Sequence, residues 1–200
     1  MILILDFGSQ FTQLIAKKIR KLEVYAEIYP YDANFKEIAN KKKIEGIILS
    51  DGFDNLVDKK TQQTLQQQIE ELQVPVLGIG YGMHLLSSFM LDEKAHYNPL
   101  GQFHEELAKL DTSSLLFKDL TVSEKVWVGQ HNPHFILPSG FVSIAQNQQG
   151  HVLAVHCLEK KYYGVQFHPE VAHTHSGNII LKNFVFEICH APAQWKTQSF

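Results

Sequence analysis

The stretch Val76-Leu-Gly-Ile-Gly80-Tyr-Gly-Met83 decides the expected fold. A short apolar run, typical of a strand buried on both faces, leads directly into Gly-x-Gly-x-Gly. This spacing matches a nucleophile elbow, in which small residues flank one position of strained backbone, and Gly80 holds that position. A glycine-rich turn between strand and helix, without chemistry, is the alternative. A dinucleotide-binding loop is disfavoured because the G-x-G-x-x-G spacing is absent.

The same alternation of apolar runs and helical periodicity continues towards the N-terminus. It predicts a parallel sheet covered by helices, with strands at Ile2–Asp6, Gly46–Leu49 and Pro75–Ile79 buried and adjacent. After about residue 95 the pattern changes to short strands joined by turns, which indicates antiparallel additions to the sheet. The other predicted elements are strands at Val24–Tyr29, Val126–Val128, Phe141–Ala145, His151–His156 and Tyr162–Phe167, and helices at Asp32–Lys41, Thr61–Leu72, Met83–Met90 and Ser176–Cys189.

Composition excludes several classes of protein. The 200 residues are 44% hydrophobic and 20% charged, so the chain can bury a core and is not disordered. The net charge of −3 argues against a sequence-independent nucleic-acid binder, which needs a basic surface. No apolar run approaches the roughly 20 residues that cross a bilayer, and the N-terminal residues do not have the pattern of a secretory leader, so we expect neither a membrane span nor a signal peptide. Two cysteines, Cys157 and Cys189, indicate reduced thiols in a cytoplasmic protein.

A second motif, Tyr163-Gly-Val-Gln-Phe-His168-Pro-Glu170, follows an apolar strand. A histidine and a carboxylate two residues apart suit a general base and the acid that orients its imidazole. Taken alone, such a histidine is more often an ordinary loop residue.

Together these segments resemble the class I glutamine amidotransferases, in the form of the amidotransferase domain of GMP synthetases. The resemblance runs from Ile2 to about Trp195. It is carried by Ile4-Leu-Asp-Phe-Gly-Ser-Gln-Phe-Thr-Gln-Leu-Ile, Gly46-Ile-Ile-Leu-Ser, Pro75-Val-Leu-Gly-Ile-x-Tyr-Gly-Met and Tyr163-Gly-Val-Gln-Phe-His-Pro-Glu-Val-x-His-Thr. It implies a three-layer, flavodoxin-like α/β fold with a mostly parallel central sheet and antiparallel additions. It also implies an amidotransferase-like domain over residues 1–190, with 191–200 as a tail or linker towards an absent synthetase domain.

The family hydrolyses glutamine with a Cys-His-Glu triad and passes ammonia to a synthetase. By resemblance, His168 is the base, Glu170 orients it, and Gly52 and Tyr81 supply the backbone donors of the oxyanion hole. The nucleophilic cysteine is expected at Gly80, and glycine has no side chain with which to attack a carboxamide.

Other positions near the expected pocket also depart from the family pattern. Asp51 replaces the first glycine of Ser-Gly-Gly-Pro and brings a negative charge beside the developing oxyanion, where its sign is wrong. His84 stands where glutamine is usual. The stretch Trp127-Val-Gly-Gln-His-Asn aligns with the family's substrate-binding segment Trp-Met-Ser-His-Gly-Asp. In it, Gly129-Gln130 replaces Ser-His. We therefore expect degenerate substrate binding at these residues, doubtful glutamine binding and no cofactor.

Three hypotheses remain at this stage. The first is an amidotransferase-like domain that has lost glutamine hydrolysis and acts as a binding or regulatory module beside an ATP-pyrophosphatase-type synthetase. The second is an active glutaminase subunit whose cysteine was removed by engineering. The third is a metal-dependent hydrolase that uses His168, Glu170, His173 and His175. It is disfavoured because all of these except His175 already match the amidotransferase pattern, so we expect no metal.

Overall fold

The computed structural model describes residues 1–53, 56–91, 103–129 and 135–194. Its elements in chain order are β1 (Ile2–Phe7), α1 (Thr12–Lys21), β2 (Ala26–Pro30), α2 (Phe35–Ala39), β3 (Gly46–Gly52), α3 (Lys59–Leu72), β4 (Val76–Ile79), α4 (Tyr81–Ser88), β5 (His104–Leu110), a 3₁₀ turn (Leu115–Phe117), β6 (Ser123–Val128), β7 (Val142–Gln146), β8 (Val152–Cys157), β9 (Tyr162–Val165), α5 (Gly177–Lys182) and a π-helical turn (Asn183–Ile188).

These strands form one sheet in the order β2-β1-β3-β4-β9-β8-β7-β5-β6. The five strands from β2 to β9 pair in parallel, and β9-β8-β7-β5-β6 pair antiparallel. The α/β fold with a mostly parallel centre and antiparallel additions is therefore confirmed. So is the prediction that β1, β3 and β4 are buried neighbours.

Two hydrophobic cores lie on opposite faces of the sheet, because successive residues of a strand point to opposite faces. Ile2 and Ile4 of β1 pack with α1, α5 and the π-helical turn. Leu3 and Leu5 pack with α2, α3 and α4. The inner parallel strands β1, β3 and β4 are mainly apolar because both of their faces are covered.

The antiparallel half differs from the sequence prediction in one element. Strand β5 was not predicted, because its residues His104–Leu110 are mostly polar and lie where only one face is covered. Val128 at the end of β6 bridges Phe167 beyond β9, although three strands separate β6 from β9 in the sheet. The antiparallel half therefore curls back over the loop that follows β9.

The predicted helix Ser176–Cys189 is divided into α5 and the π-helical turn. The change falls at Asn183, whose side-chain amide donates to the carbonyls of Leu116 (3.1 Å) and Lys118 (2.7 Å). The apolar face of this segment belongs to the core, with Ile180 and Phe184 fully buried. Of the predicted tail 191–200, residues 195–200 lie outside the described part of the chain.

Candidate active site

Gly80 forms a sharp turn between β4 and α4 at the carboxyl edge of the parallel strands. Its φ of 54° and ψ of −116° lie in a region that residues with a Cβ rarely adopt. A Cβ at the neighbouring Gly82 would lie 2.5 Å from the carbonyl oxygen of Leu49, so this position also requires glycine. The geometry is that of an elbow, placed where open α/β sheets hold their sites.

The side chain of Asp51 fills the space into which a residue at Gly80 would project. A Cβ at Gly80 would lie 2.6 Å from Asp51 Cγ and closer still to Oδ1. Asp51 Oδ1 accepts a 2.7 Å hydrogen bond from the Tyr81 backbone N–H, and the Gly52 N–H also bonds this carboxylate. Both expected oxyanion-hole donors are thus directed at Asp51. The sequence indicated that Asp51 brings a negative charge to this place but not that its carboxylate accepts from both of these N–H groups.

His168 and Glu170 lie on the opposite side of the same pocket. Nδ1 of His168 is 2.8 Å from Glu170 Oε1, and both side chains are fully buried. Nε2 of His168 faces Asp51 Oδ2 at 3.5 Å and has no hydrogen-bond partner among the described residues. The structure therefore brings together the elbow, Asp51 and the predicted base and orienter.

Backbone contacts hold the loop of this His–Glu pair in place. The His168 N–H donates to the Trp127 carbonyl at 2.9 Å, which ties the loop to β6. The Pro169 carbonyl accepts from Lys18 Nζ at 3.2 Å, and a Cβ at Gly177 would collide with it. The orientation of His168 is therefore fixed from both α1 and β6.

Burial and charge oppose one another in this cluster. Burial alone would lower the pKa of His168, but the charge and hydrogen bond of Glu170 and the charge of Asp51 together raise it above its usual value. Burial raises the pKa of Asp51, although His168 and the Tyr81 and Gly52 N–H groups favour its ionised form. The carboxylates of Glu170 and Asp51 therefore both favour the protonated form of the His168 imidazole.

Aromatic rings also surround the histidine. Phe11 and Phe103 meet the His168 ring edge to face, with centroids 5.4 and 5.2 Å away. Phe103 also lies against Gly129, where an added Cβ would come within 3.2 Å of the ring. Sequence reasoning missed Phe103, whose neighbours 92–102 lie outside the described residues.

The remaining predicted site residues have other surroundings. His84 is buried in α4, where its ring packs against Phe135 at 5.3 Å. Burial lowers the pKa of His84 to about 4, so it is neutral at pH 7. Gln130 lies outside the described residues.

In the described part of the chain, no group of three or more His, Cys, Asp or Glu side chains has an arrangement that could hold a metal ion. His173 stacks on Trp127 at 4.2 Å. Cys157 and Cys189 are free and buried, and burial raises the pKa of Cys189. None of the helices in the described ranges is long and apolar enough to span a membrane.

A family comparison supplies the context for this geometry. The sequence model of the glutamine amidotransferase class-I family matches residues 3–188. The chain belongs to the class I glutamine amidotransferases. It is 40% identical over 202 residues to the glutamine-hydrolysing GMP synthase of Acetivibrio thermocellus, covering 100% of this chain and 39% of that protein. It is 38% identical over 200 residues to the enzyme of Bacillus subtilis, again covering 100% of this chain and 38% of the relative.

Solved structures agree with this amidotransferase assignment. The structure of a protein described as a GMP synthase subunit, from Thermoplasma acidophilum, aligns with a TM-score of 0.79 and 26% identity, covering 94% of this chain and 93% of that one. PurLQS from Thermotoga maritima aligns with a TM-score of 0.71 at 14% identity and supports the fold alone, covering 93% of this chain and 97% of that one. This amidotransferase chain spans about two fifths of the length of the GMP synthases it matches.

Proposed function

We propose that this chain is a GMP-synthetase-type amidotransferase domain of purine nucleotide biosynthesis that has lost glutamine hydrolysis. In this proposal Gly80 stands where the family's nucleophilic cysteine is expected, and His168 and Glu170 are the remaining base and orienter. The domain then acts as a binding or regulatory module that is non-catalytic towards glutamine.

The position of Asp51 carries this proposal. An oxyanion hole acts on a substrate only when its donors can reach the substrate's developing charge. Here the Tyr81 and Gly52 N–H groups already bond the Asp51 carboxylate. A glutamine carboxamide would have to displace a charged group from these donors and would still find no nucleophile at Gly80. Two independent requirements of the reaction are therefore missing.

The partner in this proposal is a synthetase of the ATP pyrophosphatase type, either as a domain or as a separate protein. Its support is that the matched GMP synthases are more than twice as long as this chain, which aligns with less than half of each. The Thermoplasma relative, which aligns over 93% of its length, is described as a subunit. Both a covalent and a separate synthetase are compatible with these lengths.

Glutamate release from glutamine, measured in the presence of the natural synthetase partner, tests the loss of activity. We expect no turnover above background. Turnover at ordinary enzyme rates of about 1–10³ s⁻¹ would overturn the proposal.

A rescue series separates this proposal from an engineered loss of cysteine, which the intact His168–Glu170 geometry also suits. Gly80→Cys alone should stay inactive because the added side chain meets Asp51. Activity should need Asp51→Gly together with Gly80→Cys, Gly129→Ser and Gln130→His. Asp51→Gly without the cysteine is the matched control. Full activity from Gly80→Cys alone would favour the engineered loss.

A further inference from the structure

We propose that Asp51 is a nucleophile that forms a covalent ester with its substrate. A potential base, the acid that orients this base and backbone N–H donors all lie around its carboxylate. The substrate class would be small apolar alkyl compounds whose sp³ carbon carries an anionic leaving group. This inference goes beyond the proposed function, because loss of glutamine hydrolysis does not decide what the carboxylate itself can attack. Its test reads a different reaction, so either proposal can fail alone.

The geometry around Asp51 is that of a nucleophile, base and orienter in sequence. Carboxylates serve as nucleophiles where a neighbouring base can later activate water. Asp51 Oδ2 lies 3.5 Å from His168 Nε2, and His168 Nδ1 is held by Glu170 at 2.8 Å. Nε2 is buried and has no hydrogen-bond partner within the described ranges, so it can accept a proton at this point. The Asp51 side chain is mostly buried, but 12% of it is exposed, so it is not sealed from solvent.

The filled oxyanion hole selects the substrate class. If Asp51 attacked an amide or ester carbonyl, the new negative charge would form on the substrate, where neither the Tyr81 nor the Gly52 donor is open to it. Oδ1 of Asp51 itself accepts from the Tyr81 N–H. The hole can therefore stabilise negative charge only on Asp51, as happens when an alkyl ester formed on Oδ2 is hydrolysed at Cγ.

Water is the only reactant that the reaction needs besides the alkyl substrate. A lone pair of Oδ2 forms a bond to the sp³ carbon, and the leaving group departs with the electrons of the broken bond. Water then adds to Cγ while His168 Nε2 takes its proton, and the charge on Oδ1 is held by the Tyr81 and Gly52 N–H groups. The Cγ–Oδ2 bond breaks, the alcohol leaves with Oδ2 and the proton from His168, and Asp51 is again a carboxylate. The net change is alkyl–X plus water to alcohol, proton and X⁻.

Two further observations agree with this sequence of steps. Phe11 and Phe103 present ring edges to His168 and offer an apolar wall to an alkyl group. The negative charge of Asp51 helps to raise the pKa of His168. Formation of the ester removes that charge, so the imidazole is more readily neutral at the step that needs a base.

The experiment uses the unmodified chain with 1-bromobutane in water enriched in ¹⁸O. Bromide release is followed over time, and the oxygen isotope content of each carboxylate is read by tandem mass spectrometry. We expect bromide release and one heavy oxygen incorporated at Asp51. Asp51→Asn should abolish both signals, and Asp32→Asn, at an exposed position remote in sequence, should change neither. His168→Gln should accumulate the butyl ester on Asp51.

Three results would overturn the inference. One is the absence of bromide release by the unmodified chain. Another is bromide release with no heavy oxygen at Asp51. The third is alkylation confined to cysteine or histidine. The first two are read on unmodified protein, so they stand even if a variant fails to fold.

Discussion

The two sides of the pocket match the amidotransferase pattern to different extents. On the β9 side, His168 and Glu170 keep the motif of the amidotransferases, with a 2.8 Å contact between their side chains. On the β3–β4 side, Gly80 offers no side chain and Asp51 fills the space beside it. We call the β9 side, which keeps its motif, the intact side, and the β3–β4 side, which the Asp51 carboxylate fills, the blocked side.

This difference shows that an intact motif can be explained by packing. The His168 loop is bound to β6 through the Trp127 carbonyl and to α1 through Lys18. Gly177 packs against the Pro169 carbonyl with no room for a Cβ. Substitutions there would disturb the fold whether or not the histidine reacts. The side chain at position 51 is held differently, because its hydrogen-bond donors are the backbone N–H groups of Tyr81 and Gly52.

The largest expected effect is on stability at the blocked side. Gly80→Ala places a Cβ against Asp51 at a positive φ, and we expect a loss of about 3 kcal/mol or more in the free energy of unfolding. Gly150→Ala is the matched control, since Gly150 has a φ of 83° with nothing within 4 Å of the added atom. It should cost only the backbone strain, about 1 kcal/mol. Urea unfolding of both variants makes the measurement.

Adding Asp51→Gly to Gly80→Ala sharpens this result. The double variant should recover most of the difference between the two single alanine variants, because only the strain at Gly80 remains. Equal losses for Gly80→Ala and Gly150→Ala would mean that Asp51 moves aside without cost. Asp51 would then be only a weak obstacle to a side chain at position 80.

A smaller effect is expected on the titration of His168, followed by NMR of its imidazole. Its pKa should lie above the ordinary 6.5, because Glu170 and Asp51 together outweigh burial. Glu170→Gln should lower that pKa more than Asp51→Asn, since Glu170 contributes both a charge and a hydrogen bond. The opposite order would show that Asp51 has more influence than Glu170 on the pKa of His168.

The same pKa fixes the sign of a pH dependence. A group whose pKa is raised by folding adds stability that is fully present below its unfolded pKa and is lost as pH rises through its folded pKa. The contribution of His168 to stability should therefore decline above about pH 6.5. Asp51, whose pKa is also raised by burial, acts in the same direction at lower pH. Unfolding of the unmodified chain and His168→Gln, compared across this range, measures the difference.

Much of this arrangement could be predicted from the sequence, because it rests on local patterns. Apolar runs such as Ile2–Asp6 and the glycines around Gly80 carry their own structural requirements. The contact of Asp51 with the expected oxyanion-hole donors could not be predicted. It depends on Asp51 and Tyr81, which are far apart in sequence and meet at one sheet edge. Strand β5 and the contact of Phe103 with Gly129 were missed for a similar reason, since a polar edge strand and a single ring have no periodic signature.

The smallest predicted effect concerns the intact side and whether packing alone maintains it. Lys18 Nζ donates to the Pro169 carbonyl at 3.2 Å and is partly buried. Lys18→Met keeps most of the apolar stem and removes this donor, so unfolding should become easier by about 1 kcal/mol. Lys17→Met, at an exposed position of the same helix, should have almost no effect. If Lys18→Met also broadens or shifts the NMR signal of His168, the α1 contact positions the loop. An unchanged stability and signal would mean that Trp127 of β6 and Gly177 of α5 hold the loop without the help of Lys18.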